Sequence, residues 1–254
     1  MFFNKKSEIT FPLIDMHEHL LYHIDDGSHS YEESIKMLEI AYHDGIRIII
    51  ATPHFHPGKC TKSIDHYISQ FNQLNDYTAN YYHDMKLYLG REVYYTSDVI
   101  EELDTHTDFF MNISSYILIE YSTSTEYHYI KNSINSIIQE GLTPIIAHVE
   151  RYGTFLSNRD SVQKIQDLRN MGALIQVNAN SYMGDTGKEP QKLVKNLLRE
   201  ETVDLVATDA HSCTHRTPVM KDCITSIAHK YGIDYAKKIA YDNQISIINN
   251  QYVK

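Results

Sequence analysis

Residues 13–19, LIDMHEH, read as a short apolar strand that ends in a His-x-His pair, His17 and His19. On a strand, positions i and i+2 face the same way, so both imidazoles can reach one ion. The same pattern recurs along the chain. Ile46–Ala51 precedes His54, Leu87–Leu89 precedes Glu92, Tyr116–Ile119 precedes Glu120, and Pro144–Ala147 precedes His148. Ala173–Val177 precedes Asn178, and Val203–Ala207 precedes Asp209 and His211. Histidines and carboxylates with structural tasks have no reason to collect at one end of successive strands. A metal site at the C-terminal mouth of a β/α barrel gives them one, because the βα loops converge there.

Between the runs the apolar spacing changes to a helical one. Ser30 and Glu33 have capping-box spacing, and Ile35, Leu38, Ala41 and Tyr42 share a helix face that Gly45 terminates. Further helices are expected over about 62–83, 127–140 (stopped by Gly141), 159–171 (stopped by Gly172) and after Pro190. The region from about Val219 carries no candidate ligands and is expected to pack outside the barrel. Strands alternating with helices argue for a parallel sheet. An open doubly wound sheet would gather functional groups at one switch point rather than after every strand. Donors after seven strands therefore favour a closed or nearly closed barrel, and the 254 residues suit one such domain.

Composition narrows the function. The formal charge of −10 is a poor match to nucleic acid or an anionic membrane. Bound divalent ions would offset part of it. The three cysteines, Cys60, Cys213 and Cys223, show no zinc-knuckle or redox spacing, and none has an arginine six residues later, as a cysteine-dependent tyrosine phosphatase requires. The N-terminus lacks a signal-peptide apolar region, and no stretch reaches the roughly 18 apolar residues of a membrane span. A reduced, cytoplasmic protein is expected.

No Gly-x-Ser-x-Gly elbow and no Gly-x-x-x-x-Gly-Lys loop is present, so the chemistry is expected to rest on metal. Asp209-Ala210-His211 has the same i, i+2 geometry as His17 and His19. Imidazole with carboxylate suits zinc, manganese or iron, and the lack of thiolates argues against a structural zinc site. Bound ions would lower the pKa of a water and clamp phosphoryl oxygens. Arg151 and Arg216 follow ligand candidates on two separate loops, and a guanidinium fork matches phosphate oxygens. His56, just past Pro53 and His54, stays undecided. His23, His43, His66, His83, His106, His128 and His229 read as surface or packing residues.

The segments IDMHEHLLYHIDDGSHSYEES, IIIATPHFHPG, GREVYYT, YILIEYS, TPIIAHVERY, VNANSY and VATDAHS resemble those of the PHP superfamily (polymerase and histidinol phosphatase). Within it they are most similar to the bacterial protein-tyrosine phosphatases of capsule and exopolysaccharide synthesis, the CpsB-like enzymes. The likeness spans about 13–220; the I-D-D-G and A-H-x-E-R-Y stretches are its most specific parts. It implies a distorted, TIM-barrel-like (β/α)7 barrel with three divalent ions, Mn2+ preferred and Fe, Zn or Mg as options. His17, His19, Glu92 and Asp209 would hold one ion. Glu92, Glu120 and His148 would hold a second, and Asp26, His54 and His211 a third. Arg151 and Arg216 match the phosphate-binding arginines and, with Asp26 and His54, are the expected catalytic residues. The implied substrate is phosphotyrosine in a protein, a bacterial tyrosine autokinase that controls polysaccharide export. A small-molecule phosphatase such as a histidinol-phosphate phosphatase, and a non-catalytic metal-binding protein that docks on a kinase, are the alternatives. The chain departs from the family in about a dozen residues before the first strand and in His56, where a basic loop residue is more usual. Tyr94, Tyr95, Tyr121 and Tyr152, close in sequence to the ligands, are expected to form an aromatic rim.

Overall fold

The computed structural model describes residues 9–57, 62–102, 110–156 and 159–253. Cys60, His106 and most of the expected N-terminal extension lie outside the described residues. The described residues include nine parallel strands: β1 Leu13–Glu18, β2 Ile46–Ala51, β3 His54–Phe55, β4 Lys86–Leu89, β5 Glu92–Tyr94, β6 Tyr116–Glu120, β7 Thr143–Ile146, β8 Leu174–Asn178 and β9 Leu205–Ala207. They hydrogen-bond in the orders β1-β2-β4 and β3-β5-β6-β7-β8-β9.

Two of the expected strands, Ile46–Ala51 and Leu87–Leu89, are each followed by a second short strand that carries the donor. Pro53 has no N–H to donate and ends β2; its carbonyl instead accepts from Glu92 N at 3.2 Å. Gly90 and Arg91 interrupt the neighbouring path between β4 and β5. A Cβ at Gly90 would lie 3.0 Å from Met111 Sδ and 3.2 Å from Ile50 Cγ2, so any side chain there would press on both neighbours by a few tenths of an ångström. Counting β2/β3 and β4/β5 as single paths, the barrel has the seven staves the sequence suggests. The ends of the curled sheet meet where Glu18 bridges Ala210 in parallel and Asp209 N donates to His17 O at 2.8 Å. The Asp15 carboxylate fastens the same seam by accepting from the Thr208 backbone N–H (3.0 Å) and hydroxyl.

The helices are α1 Tyr31–Asp44, α2 Ile64–Tyr81, α3 Asp98–Glu102, α4 Tyr127–Gln139, α5 Ser161–Asn170, α6 Ala179–Met183, α7 Lys188–Arg199, α8 Lys221–Tyr231, α9 Ile233–Lys237 and α10 Asn243–Ile248. Helix α1 starts as its sequence dictates: Ser30 Oγ accepts from Glu33 N. The Glu33 carboxylate reaches back to His29 N–H, one residue earlier than capping-box spacing suggests. The helix stops at Gly45, whose φ of 95° is left-handed.

The core has two layers. Leu38, Ile119, Ile134, Leu168 and Leu197 lie between sheet and helices, and Ile14, Met16, Ile50, Leu118, Ile145 and Leu205 form a separate cluster inside the barrel. The region after Val219 divides between them. Helix α8 joins the outer layer through Ile224 and Ile227, as expected. Ile247 of α10 and Val253 instead join the inner cluster, so the chain end packs against the barrel interior rather than outside it. Among the described residues, no helix is long and apolar enough to cross a membrane.

Candidate metal centre

An irregularity in β1 aims the first two donors. Asp15 pairs with Ile49 and Glu18 with Ala51, so three residue steps on β1 oppose two on β2. This bulge breaks the alternation. Met16 packs inside the barrel, and His17 and His19 still turn into its mouth.

All nine sequence-derived ligand candidates come together. His17, His19, Glu92 and Asp209 form one group of potential donors within 4.8 Å of one another, and Glu92, Glu120 and His148 form another. Asp26, His54 and His211 form a third, with His19 added. His17 Nε2 and His19 Nε2 lie 3.1 and 3.2 Å from Glu92 Oε2, and 3.5 and 3.6 Å from Asp209 Oδ1. His148 Nε2 is 2.8 Å from Glu92 Oε1, so Glu92 faces two groups at once. Asp26 Oδ1 sits 3.4 Å from both His54 Nε2 and His211 Nε2 at the exposed edge. Of the surface or packing histidines within the described residues, none belongs to a potential metal group.

The donor set fits divalent ions. Three imidazoles are oriented from behind, and their tautomers follow from the partners. His211 Nδ1 lies 3.0 Å from the Asp209 carbonyl, which can only accept. His19 Nδ1 lies 2.9 Å from Asp25 Oδ2, and His17 Nδ1 lies 3.2 Å from Gln176 Oε1. In each case Nδ1–H donates outward and Nε2 keeps its lone pair for the centre. Glu92 Oε2 is buried and makes no hydrogen bond. Burial alone would lower the His19 pKa, but Asp25 beside it lifts it to about 9. Burial likewise opposes the His54 imidazolium, yet Asp26, Glu120 and Glu92 raise it to about 12. Burial would push the Glu92 carboxyl up; the charge of His17, the hydrogen bond from His148 and the nearby His19 hold it well below the carboxylate range. Without metal, the carboxylates keep protons on the imidazoles; a cation meets the same demand.

Asp209 joins the ligands to the arginines. Its Oδ1 faces His17 and His19, while its Oδ2 accepts from Asn178 Nδ2 (2.8 Å) and pairs with Arg151 Nη1 (3.1 Å) and Arg216 Nη2 (2.6 Å). Asn178, Arg151, Arg216 and Asp209 are among the residues that line a cavity of about 740 Å³. His148, Asp209 and Arg216 hold left-handed backbone conformations, with φ of 31°, 54° and 52°. Such conformations cost non-glycine residues of order 1 kcal/mol each and persist where the surroundings over-determine them. Here the partners are charged groups that must converge.

Several supporting residues carry little sequence signal of a site role. Gln176 Oε1 accepts from His148 N (2.8 Å), and Gln176 Nε2 donates to Asn178 Oδ1 (2.8 Å). His17, Gln176, Asn178 and Asp209 thus form one chain of contacts. A polar amide inside the apolar run ALIQV, two residues before Asn178, was the available clue. Asp25 also accepts from His54 N (2.8 Å) and Gly27 N (2.9 Å). The A-H-x-E-R-Y stretch resolves residue by residue: Glu150 Oε1 accepts from Asn178 N at 2.9 Å, and the Tyr152 hydroxyl accepts from Tyr121 N at 3.2 Å. The expected aromatic rim does not form. Tyr95, Tyr121 and Tyr152 are buried in the outer layer, and only Tyr94 reaches the mouth, stacked on His56 at 4.5 Å.

Comparison with known proteins follows this geometry. Residues 13–249 match the family model "Capsular polysaccharide synthesis, CpsB/CapC". The tyrosine-protein phosphatase CpsB of Streptococcus pneumoniae is 32% identical over 246 residues, 95% of this chain and all of that protein. The tyrosine-protein phosphatase YwqE of Bacillus subtilis is 27% identical over 243 residues, 95% of this chain and 93% of that one. A solved structure from the pair YwqE of B. subtilis and CpsB of S. pneumoniae, described as unique metal-dependent tyrosine phosphatases, has a TM-score of 0.86 at 26% identity and covers 95% of this chain and 96% of that chain. The histidinol phosphate phosphatase of Lactococcus lactis, at TM-score 0.57 and 14% identity over 91% of this chain and 97% of that one, shares the fold. The shared barrel, the donor-lined mouth and a family match spanning nearly the whole chain lead to one assignment: this chain belongs to the CpsB/CapC family of capsular polysaccharide synthesis proteins.

Proposed function

We propose that this protein is a metal-dependent protein-tyrosine phosphatase whose substrate is a tyrosine-phosphorylated bacterial autokinase governing polysaccharide export, acting in the cytoplasm. Three Mn2+ ions would be held by His17, His19, Glu92 and Asp209; by Glu92, Glu120 and His148; and by Asp26, His54 and His211. When bound, these ions supply water activation and neutralise phosphoryl charge.

The observation that carries the reading is the convergence on Asp209. One of its oxygens faces the imidazoles of the first donor group, and the other holds Arg151 and Arg216. A phosphoryl group entering the cavity beside Asp209 meets two guanidinium forks and the one donor, Asp209, that links them to the imidazoles. Arg151 and Arg216 would bind its oxygens and stabilise the charge that grows on them in the transition state. Gln176 and Asn178 hold His17 and Asp209 in place, so this machinery is preorganised. The similarity to proteins named tyrosine-protein phosphatases supports the choice of phosphotyrosine. So does chemistry: a phenolate of pKa about 10 leaves without the strong general acid that an alkyl ester needs.

The test is a substrate panel with Mn2+-loaded protein: a phosphotyrosyl peptide, a phosphoseryl peptide of matched sequence, and histidinol phosphate. The expected result is the highest kcat/KM on phosphotyrosine. Preference for histidinol phosphate would move the assignment to a small-molecule phosphatase, and no turnover of any of the three to a metal-binding docking protein.

A further inference from the structure

Beyond the three ligand sets above, the mouth contains a second His-x-His. His54 and His56 lie on either side of Phe55, whose ring is buried in the outer core layer, so both imidazoles are on the mouth side. His54 Nδ1 lies 2.9 Å from Glu120 Oε1 yet is buried without a hydrogen bond, since its N–H direction does not meet that oxygen. His56 Nε2 lies 3.7 Å from the same Glu120 oxygen. The three residues offer donors within 4.8 Å of one another. Tyr94 fixes the outer ring, stacking on His56 with an interplanar angle of 23°.

We infer that His56, with His54 and Glu120 borrowed from the sets assigned above, forms an additional divalent cation site at the rim. Two imidazoles and a carboxylate suit Mn2+, Fe2+ or Zn2+, and three protein donors leave coordination positions for water. The site is weak for a specific reason. His54 Nε2 faces Asp26, 3.4 Å away, while its Nδ1 faces Glu120. A neutral imidazole has one lone pair, so His54 serves either the Asp26–His211 set or the rim set. The rim ion therefore binds only at high metal concentration, and its loading competes with that of the Asp26 set. The inference rests on the metal-centre reading but not on the phosphatase reading, because its test counts ions.

The experiment is equilibrium titration of metal-free protein with Mn2+ alone, following free Mn2+ by electron paramagnetic resonance. Wild type is compared with His56→Phe, which keeps an aromatic ring against Tyr94 but removes the nitrogen donor. Circular dichroism checks the fold of each. The expected result is equal tight binding in both, with an extra weak class of site in wild type that His56→Phe lacks. Identical isotherms would overturn the inference. Loss of the tight ions in a folded His56→Phe would overturn it too, since His56 would then belong to the main centre. Absence of phosphatase activity with the weak class still dependent on His56 would sink the proposed function and leave the rim site standing.

Discussion

Asp25 Oδ2 stands 2.9 Å from His19 Nδ1 and also accepts the His54 backbone N–H at 2.8 Å, so one buried carboxylate positions two candidate ligands. Burial would raise the Asp25 pKa, but His19 and the two backbone donors bring it down to about 2, which keeps the group ionised at neutral pH. Asp25→Asn is therefore expected to retain the barrel and weaken metal binding about 10–100-fold, as for other groups that orient a ligating histidine. Competition of the purified variant against a metal indicator measures this. Wild-type affinity in Asp25→Asn would show that His19 needs no such support.

Gly27 completes the same turn from its backbone side. A Cβ there would lie 2.4 Å from His19 O and 2.5 Å from His19 Cβ, distances that force the loop to move. Gly27→Ala should cost about 1–3 kcal/mol in stability, the usual range for overpacking, and should lower metal content by displacing Asp25 and Asp26. Thermal melts and elemental analysis test the two effects separately. A variant with wild-type Tm and full metal content would mean that the loop has slack that the structure does not show.

The barrel and the donors were legible because both follow local rules. Apolar runs mark strands, helical spacing and glycine stops mark the helices between them, and a donor at a strand end is visible in one dimension. Asp26 was different: I-D-D-G reads as a turn, and only family likeness singled it out. Asp25 was illegible as a site residue, and Gln176 left only the clue of an amide inside an apolar run, because their task depends on which imidazole lies beside them, a fact of the tertiary fold. The bulge in β1 also escaped, since LIDMHEH reads equally well without it and only the register against β2 shows the extra residue. The aromatic rim failed for a physical reason. Nearness in sequence to a ligand does not set the direction of a side chain: Tyr95 follows the mouth-facing Tyr94 by one position and points into the outer layer.

The metal-free protein should lose stability as pH rises. His19 titrates near 9 and His54 near 12 in the folded chain, against 6.5 ordinarily. Their contribution is full below pH 6.5, is lost for His19 as pH rises through about 9, and for His54 only toward 12. Asp25 behaves oppositely, contributing above its ordinary 3.8 and losing that contribution as pH falls toward 2. Between pH 6.5 and 9 the Tm of chelator-treated protein should fall. Divalent ions replace the imidazole protons, so loading at pH 7 should release protons and metal affinity should rise with pH. Calorimetric titration in buffers of different ionisation enthalpy counts the protons. A metal-free Tm that rises across this window, together with loading that releases none, would contradict the protonation pattern.

Arg151→Ala is expected to keep its metals and lose most of its turnover. Arg151 meets the cluster through the Oδ2 oxygen of Asp209, whereas the imidazoles of the first donor set face Oδ1. Removing the guanidinium therefore leaves the donor sets intact, with Asn178 and Arg216 still on Asp209. What is lost is a preorganised charge contact to the phosphoryl oxygens, typically about 10²–10³ in rate. Arg216→Ala should act in the same direction. It differs in one respect: Arg216 has a φ of 52°, and its carbonyl accepts from His211 N at 2.9 Å, so the backbone contact survives truncation of the side chain. Lysine at either position should rescue poorly, because a point charge cannot reproduce the planar fork. Steady-state kinetics on a phosphotyrosyl peptide, with metal content measured on the same samples, separates the roles. Unchanged kcat and KM in Arg151→Ala would reduce the residue to an ion-pair partner of Asp209. Loss of metal in step with activity would make it part of the structural support of the centre rather than a contact to substrate.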